Sequence, residues 1–181
     1  PQLSPREREM NYRDDHLFRV YRKRRYPVPL SSMNTHAFTR SASWNEGGDQ
    51  ESLREWSDLA MMVYGRGLRL IDMYVDPSML SPEFWQALGE STRWWQDNLE
   101  VLGNTSMIGG SPRDGEVYGY AHWKGDRGVI CLRNPDISEQ VVRVPFDKSV
   151  FYRGEAGKPF RGRVVYPFVE DLPRQFVSCE P

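Results

Sequence analysis

The feature that most constrains this chain is a change of periodicity just after residue 103, where a tryptophan-bearing helical pattern gives way to short β-like runs. Phe84, Trp85, Leu88, Trp95 and Leu99 recur at helical spacing as far as Leu102, and Gly103-Asn104 ends the pattern. Residues 115–146 then read GEVYGYAHWKGDRGVICLRNPDISEQVVRVPF. Val117, Tyr118, Tyr120 and Trp123 are good strand formers, 124–128 is a turn, and 129–132 is an apolar run closed by Asn134-Pro135. Val141, Val142 and Val144 continue a second hairpin, and 164–169 makes a last strand. With turn signals at short spacing and no helical period, an all-β module must follow the helix.

Upstream the pattern is different. Residues 1–26 mix acids and bases, with Leu17, Phe18, Val20 and Tyr21 giving a modest apolar face. This suits an amphipathic, solvated helix that Pro27 stops, its basic cluster at Arg19, Arg22, Lys23, Arg24 and Arg25 complementing the helix dipole. Residues 28–33 read as a strand entering a loop at Asn34, Thr35 and His36, and 39–50 is the most loop-like stretch. Leu53, Trp56, Leu59, Ala60 and Val63 predict a helix over 51–64, ended by Gly65 and Gly67. Residues 68–75, LRLIDMYV, have the density of a strand buried on both faces, and Ser81-Pro82-Glu83 opens the next helix. Strand and helix alternating in this way make a parallel α/β arrangement. The expected fold class is therefore α/β plus all-β: a partial (β/α)-barrel-like segment over 1–103, then a small antiparallel β-sandwich over 104–181.

Composition narrows the function classes. Twenty-four Lys and Arg against twenty-five Asp and Glu give a net charge of −1, so no global field draws the protein to nucleic acid or membrane. Nucleic acid is not the expected partner, although the 19–25 basic cluster keeps anion or RNA binding open. No apolar run reaches membrane-spanning length and no signal-peptide core is present, so a soluble chain of unassigned compartment is expected. Cys131 and Cys179 show no metal-ligand spacing. A buried free Cys131 is expected, with a 131–179 disulfide possible only if the C-terminal tail packs beside that strand. No cofactor or metal is signalled, and Walker, GxGxxG, GxSxG and HExxH motifs do not occur.

Ligands of parallel α/β sheets meet the loops at strand carboxyl ends. That rule selects His36, Asp72, Glu46 and Asp49 as candidate catalytic groups, with Asn34, Trp44, Tyr74 and Asp76 as candidate substrate contacts. Asp72 interrupts an apolar strand, where a carboxylate must be hydrogen-bonded, paired with Arg66 or Arg69, or functional. Glu46 and Asp49 flank Gly47-Gly48 in a loop able to fold over the same face. His36 is the best placed of the histidines for proton transfer, and Asp76 before Pro77 is equally a turn residue. Two carboxyl groups about 5–9.5 Å apart, with an aromatic ring to stack on a sugar, are what glycosidic hydrolysis needs.

The run GEVYGYAHWKGDRGVICLRNP, together with the Trp94-Trp95 helix before it, resembles the C-terminal part of alpha-galactosidase-like glycoside hydrolases, where the last barrel helix meets a β-sandwich. The likeness extends over 65–173. It implies a glycoside hydrolase or a C-terminal fragment of one, acting on carbohydrate or another small polar substrate; the alternative is a non-catalytic carbohydrate-binding or structural module. The family's nucleophile, an aspartate on a middle barrel strand, has no counterpart here. Two βα units cannot close a barrel, so self-association or the remainder of a longer chain is expected to complete it.

Overall fold

The computed structural model describes residues 3–154 and 160–172. Helices and short strands are mixed. Helix α1 (Pro5–Leu17) opens with Ser4 and Glu7 in a reciprocal capping box and Pro5 in the first turn. It runs on into a wider π-helical turn, Phe18–Lys23. Strand β1 (Phe38–Arg40), helix α2 (Leu53–Gly65), strand β2 (Met73–Val75) and helix α3 (Pro82–Leu102) follow. β1 and β2 pair in parallel, Phe38 opposite Met73 and Arg40 opposite Val75. Beyond α3 a meander of β3 (Thr105–Gly109), β4 (Tyr118–Lys124) and β5 (Arg127–Arg133) forms an antiparallel sheet, and a short pair joins β6 (Arg163–Val164) to β7 (Glu170–Asp171).

The helices obey the periodicity of the sequence. α2 is capped by Ser52 and Glu55 and buries Trp56, Leu59, Ala60 and Val63. In β4 the pleat divides side chains between two faces: Tyr118 and Tyr120 join the main core with Trp56, Leu59, Met10 and Leu17, whereas Ala121 and Trp123 join a second cluster with Val150 and Tyr152. Residues on both sides of position 103 thus share one core. The second cluster is aromatic, with Trp123, Phe146, Tyr152 and Phe160 at ring-centroid distances of 5.1–6.1 Å.

Several local expectations are corrected. Residues 28–33 are not a strand, because Pro27 and Pro29 lack amide donors and Leu30–Ser32 closes a 3-10 turn instead. Of 68–75 only Met73–Val75 pairs, and Leu70, Met73 and Tyr74 are exposed, so this is not a strand covered on both faces. Residues 141–144 lie outside the described strands. The Gln140 side chain accepts from the Val117 amide at 2.9 Å and donates to the Gly115 carbonyl at 2.7 Å, taking the place of backbone pairing. Pro167 splits the segment expected to be the last strand.

The largest departure is α1, whose charged residues were expected in solvent. Arg6, Met10, Asp14 and Leu17 are buried on its inner face. The Asp14 carboxylate accepts Arg66 Nε at 2.7 Å and Nη2 at 3.2 Å, Tyr118 OH at 2.8 Å and Tyr120 OH at 2.5 Å. Burial opposes the charge of Arg66, but the Asp14 carboxylate more than offsets it and the net shift is upward. Burial, reinforced by that carboxylate, holds both tyrosine hydroxyls protonated well above their ordinary range. Two more arginines, Arg6 and Arg40, converge on buried Glu51, with Arg6 Nε at 2.5 Å.

Removing one partner of a buried pair strands the other charge. Asp14→Asn is expected to destabilise the fold by about 3–5 kcal/mol, and Tyr120→Phe by about 1–3 kcal/mol, in urea unfolding. Equal and small effects would show that Asp14 is not the centre of this network.

Candidate functional site

Five of the eight residues singled out from sequence come together at the amino-terminal end of the parallel pair. His36 and Asp72 directly precede β1 and β2, so the site is at the opposite strand end from the one expected. The Asp72 carboxylate is fixed by the Ala37 amide at 2.8 Å, while its other oxygen lies 3.1 Å from His36 Nδ1 and 3.4 Å from Asn34 Nδ2. Of the alternatives open for Asp72, the hydrogen-bonded one holds; Arg66, one of the two arginines considered as its ion-pair partner, is committed to Asp14.

Around the histidine stand two aromatic rings. His36 lies edge-on to Trp44 at 5.1 Å and to Tyr74 at 5.2 Å, and Trp44 lies 5.4 Å from Tyr74. A turn in which the Ser41 and Trp44 backbones exchange hydrogen bonds brings Trp44 back over β1 and β2. The trio is open: Trp44 is 38% exposed and Tyr74 42%, and the His36 side chain is 41% exposed. Such a grouping of rings beside a carboxylate can stack on a flat apolar surface and accept hydrogen bonds at its edge.

Glu46 connects this surface to the interior. It accepts Trp44 Nε1 at 3.2 Å and Thr39 Oγ1 at 3.1 Å, and its two oxygens share Arg13 Nη2 at 2.9 and 3.0 Å. Arg13 also donates to Glu9 at 2.9 Å, so one guanidinium holds two carboxylates. Their proton affinities are driven apart. Burial raises Glu9 and outweighs the lowering by Arg66, Arg13 and Arg6; at Glu46 burial also raises, but the Arg13 bonds and charge win and the net shift is downward. Sequence reasoning missed Glu9 and Arg13, and their four-residue spacing on a helix was the available signal.

The other candidates are separate in role. Asp76 accepts the Ser78 amide and hydroxyl at 2.9 and 2.7 Å, which lowers its proton affinity and makes it the cap of a 3-10 turn. Asp49 sits on an exposed turn and forms no ion pair among the described residues. His122 is buried with Nε2 2.8 Å from the Gly65 carbonyl, and burial lowers it to about 4, so it stays neutral. Cys131 is a free thiol whose sulfur lies 3.6 Å from Met62 Sδ, burial pushing it up to about 12. Cys179, and with it the 131–179 pairing, lies outside the described residues.

Among the described residues no group of three or more His, Cys, Asp or Glu is placed to hold a metal ion, and no helix is long and apolar enough to cross a membrane. No family model, curated protein or solved structure matches the chain.

The opposite shifts of Glu9 and Glu46 give opposite pH signatures. Glu46 contributes stability that is present above its ordinary value of 4.5 and is lost as pH falls through its lowered one. Glu9, raised, weighs against the fold as pH climbs from 4.5 through its raised value. Glu46→Gln is therefore expected to lose most stability near neutral pH, and Glu9→Gln to gain on the parent across the same rise. Urea midpoints measured from about pH 3 to about pH 7 check this, and parallel curves would contradict it.

Proposed function

We propose that this chain binds carbohydrate through the open surface of His36, Trp44 and Tyr74. The observation that carries the reading is the mutual approach of the three rings at 5.1–5.4 Å with much of their area left to solvent. A pyranose presents a C–H face that stacks on Trp44 or Tyr74, and its hydroxyl groups reach Asp72 and Asn34 at the rim. This is the module reading of the sequence rather than the hydrolase one. Glu46, which accepts the Trp44 indole N–H, is held ionised by Arg13 and is a poor proton donor.

Glycoside hydrolysis is the second reading, favoured by the His36 Nδ1 contact to Asp72 at 3.1 Å. It carries with it the architecture that the alpha-galactosidase-like resemblance implies, the end of a (β/α) barrel followed by a β-sandwich. In either case the two-stranded parallel pair, flanked by exposed Leu70 and Met73, is proposed to be completed by further strands, from a second copy or from additional chain.

Titration with neutral oligosaccharides is expected to quench tryptophan fluorescence, and Trp44→Ala to weaken binding at least about tenfold, or ~1.4 kcal/mol. Unchanged affinity in that variant would remove the surface from the site. Turnover of chromogenic glycosides that vanishes in Asp72→Asn, with the fold kept, would put the hydrolase reading first.

A further inference from the structure

A second surface, built around α1 and its π-helical extension, is lined by arginines. Arg8, Tyr12, Asp15 and Arg19 follow one another at three- and four-residue spacing along the helix, and with Asn11 and Arg113 they line a hollow of about 390 Å³. One turn further on, Arg22 and Arg143 line a second hollow of about 410 Å³ with Tyr21, Ser106 and Ser149. The two hollows adjoin. Arg19 and Arg22 are three residues apart on the same continuous helix, and Gly109, the last residue of β3, and Pro112, which opens the 3-10 turn after it, border one hollow each.

Neutralisation of these guanidinium groups is sparse. Arg19 pairs with Asp15 at 3.0 Å. Arg22 donates to the Gly109 carbonyl at 2.7 Å and lies over Phe18 at 5.7 Å, neither of which cancels its charge. Arg8, Arg113 and Arg143 make no side-chain hydrogen bond or ion pair to another described residue. A chain whose overall charge is −1 has therefore gathered five arginines and one carboxylate around two neighbouring hollows. Forked, weakly hydrated guanidinium donors match the oxygens of sulfate-type anions.

The aromatic content of this face argues against a nucleic acid. Base stacking needs open ring faces, but one face of the exposed Tyr12 ring is covered by the Arg13 guanidinium at 5.6 Å, and Tyr21 is packed on the main core. An anionic ligand with a non-aromatic frame fits better. We infer that these adjoining hollows form a binding site for a sulfated oligosaccharide, its sulfate groups held by Arg8, Arg19 and Arg113 in one hollow and by Arg22 and Arg143 in the other. The choice of a sugar frame rests on the carbohydrate reading above, whereas the anion chemistry stands on the arginines alone.

Dextran sulfate oligosaccharide, unsulfated dextran of equal length and a single-stranded RNA of equal charge serve as probes on the full chain. Dextran sulfate is expected to bind with strong salt dependence, and Arg8→Glu/Arg113→Glu to weaken it at least about tenfold, the size of one or two charge-assisted contacts. A separate Arg143→Glu variant, at an exposed position, is expected to weaken binding in the same direction with an unchanged circular dichroism spectrum. Trp44→Ala is expected to keep dextran sulfate binding, which separates failure of this proposal from failure of the neutral-sugar site. The proposal is overturned if both arginine variants bind as the parent does, if the RNA binds more tightly than dextran sulfate, or if dextran sulfate does not bind at low salt.

Discussion

Everything else in this structure hangs on the Asp14 carboxylate. Itself on α1, it accepts four hydrogen bonds from three residues, two from Arg66 just beyond α2 and one each from Tyr118 and Tyr120 on β4. Hydrophobic packing alone would let these elements slide, because a Leu or Phe contact has no preferred direction. Four directional bonds to one buried carboxylate do not. They set where α1 lies against the sheet, and thereby where Arg6 meets Glu51 and where Arg13 meets Glu46. Buried charge of this kind brings specificity of arrangement rather than much net stability, since the desolvation of both ions offsets most of their attraction.

That arrangement is transmitted to the surface. Glu46 is clamped by Arg13 from α1 and in turn receives the Trp44 indole N–H, so the ring that borders His36 and Tyr74 is oriented from the interior outward. Just before β2, Asp72 is held by the Ala37 backbone amide, a partner fixed by the chain itself. The aromatic surface is thus made of side chains whose positions are set by partners behind them, as preorganised recognition requires.

What could be read from sequence follows from the range of the forces involved. The two long helices and the β4–β5 hairpin were legible because their apolar spacing and turn residues are local. The grouping of His36, Trp44, Asp72 and Tyr74 was anticipated as a set of residues but placed at the wrong strand end, since Leu30–Ser32 turns where a strand was expected and β1 begins only at Phe38. Asp14, Glu9 and Arg6 were read as solvated because a charged residue on a helix ordinarily is. Their burial depends on Arg66, Tyr118 and Glu51, which are 52, 104 and 45 residues away from the partners they meet. No window along the chain contains that information.

The π-helical turn at Phe18–Lys23 also has a bearing on variation in this protein. The Arg24 amide reaches back five residues to the Arg19 carbonyl, so the helix holds one residue more than the α-pitch would take over that stretch. Loss of a single residue there would let the coil tighten to the α pitch, and the side chains that this turn carries, Arg22 on the Gly109 carbonyl and Phe18 and Tyr21 on the main core, would be shared out anew among the remaining positions. A one-codon deletion at this turn therefore bears on the basic end of the helix and on the border of the hydrophobic interior together.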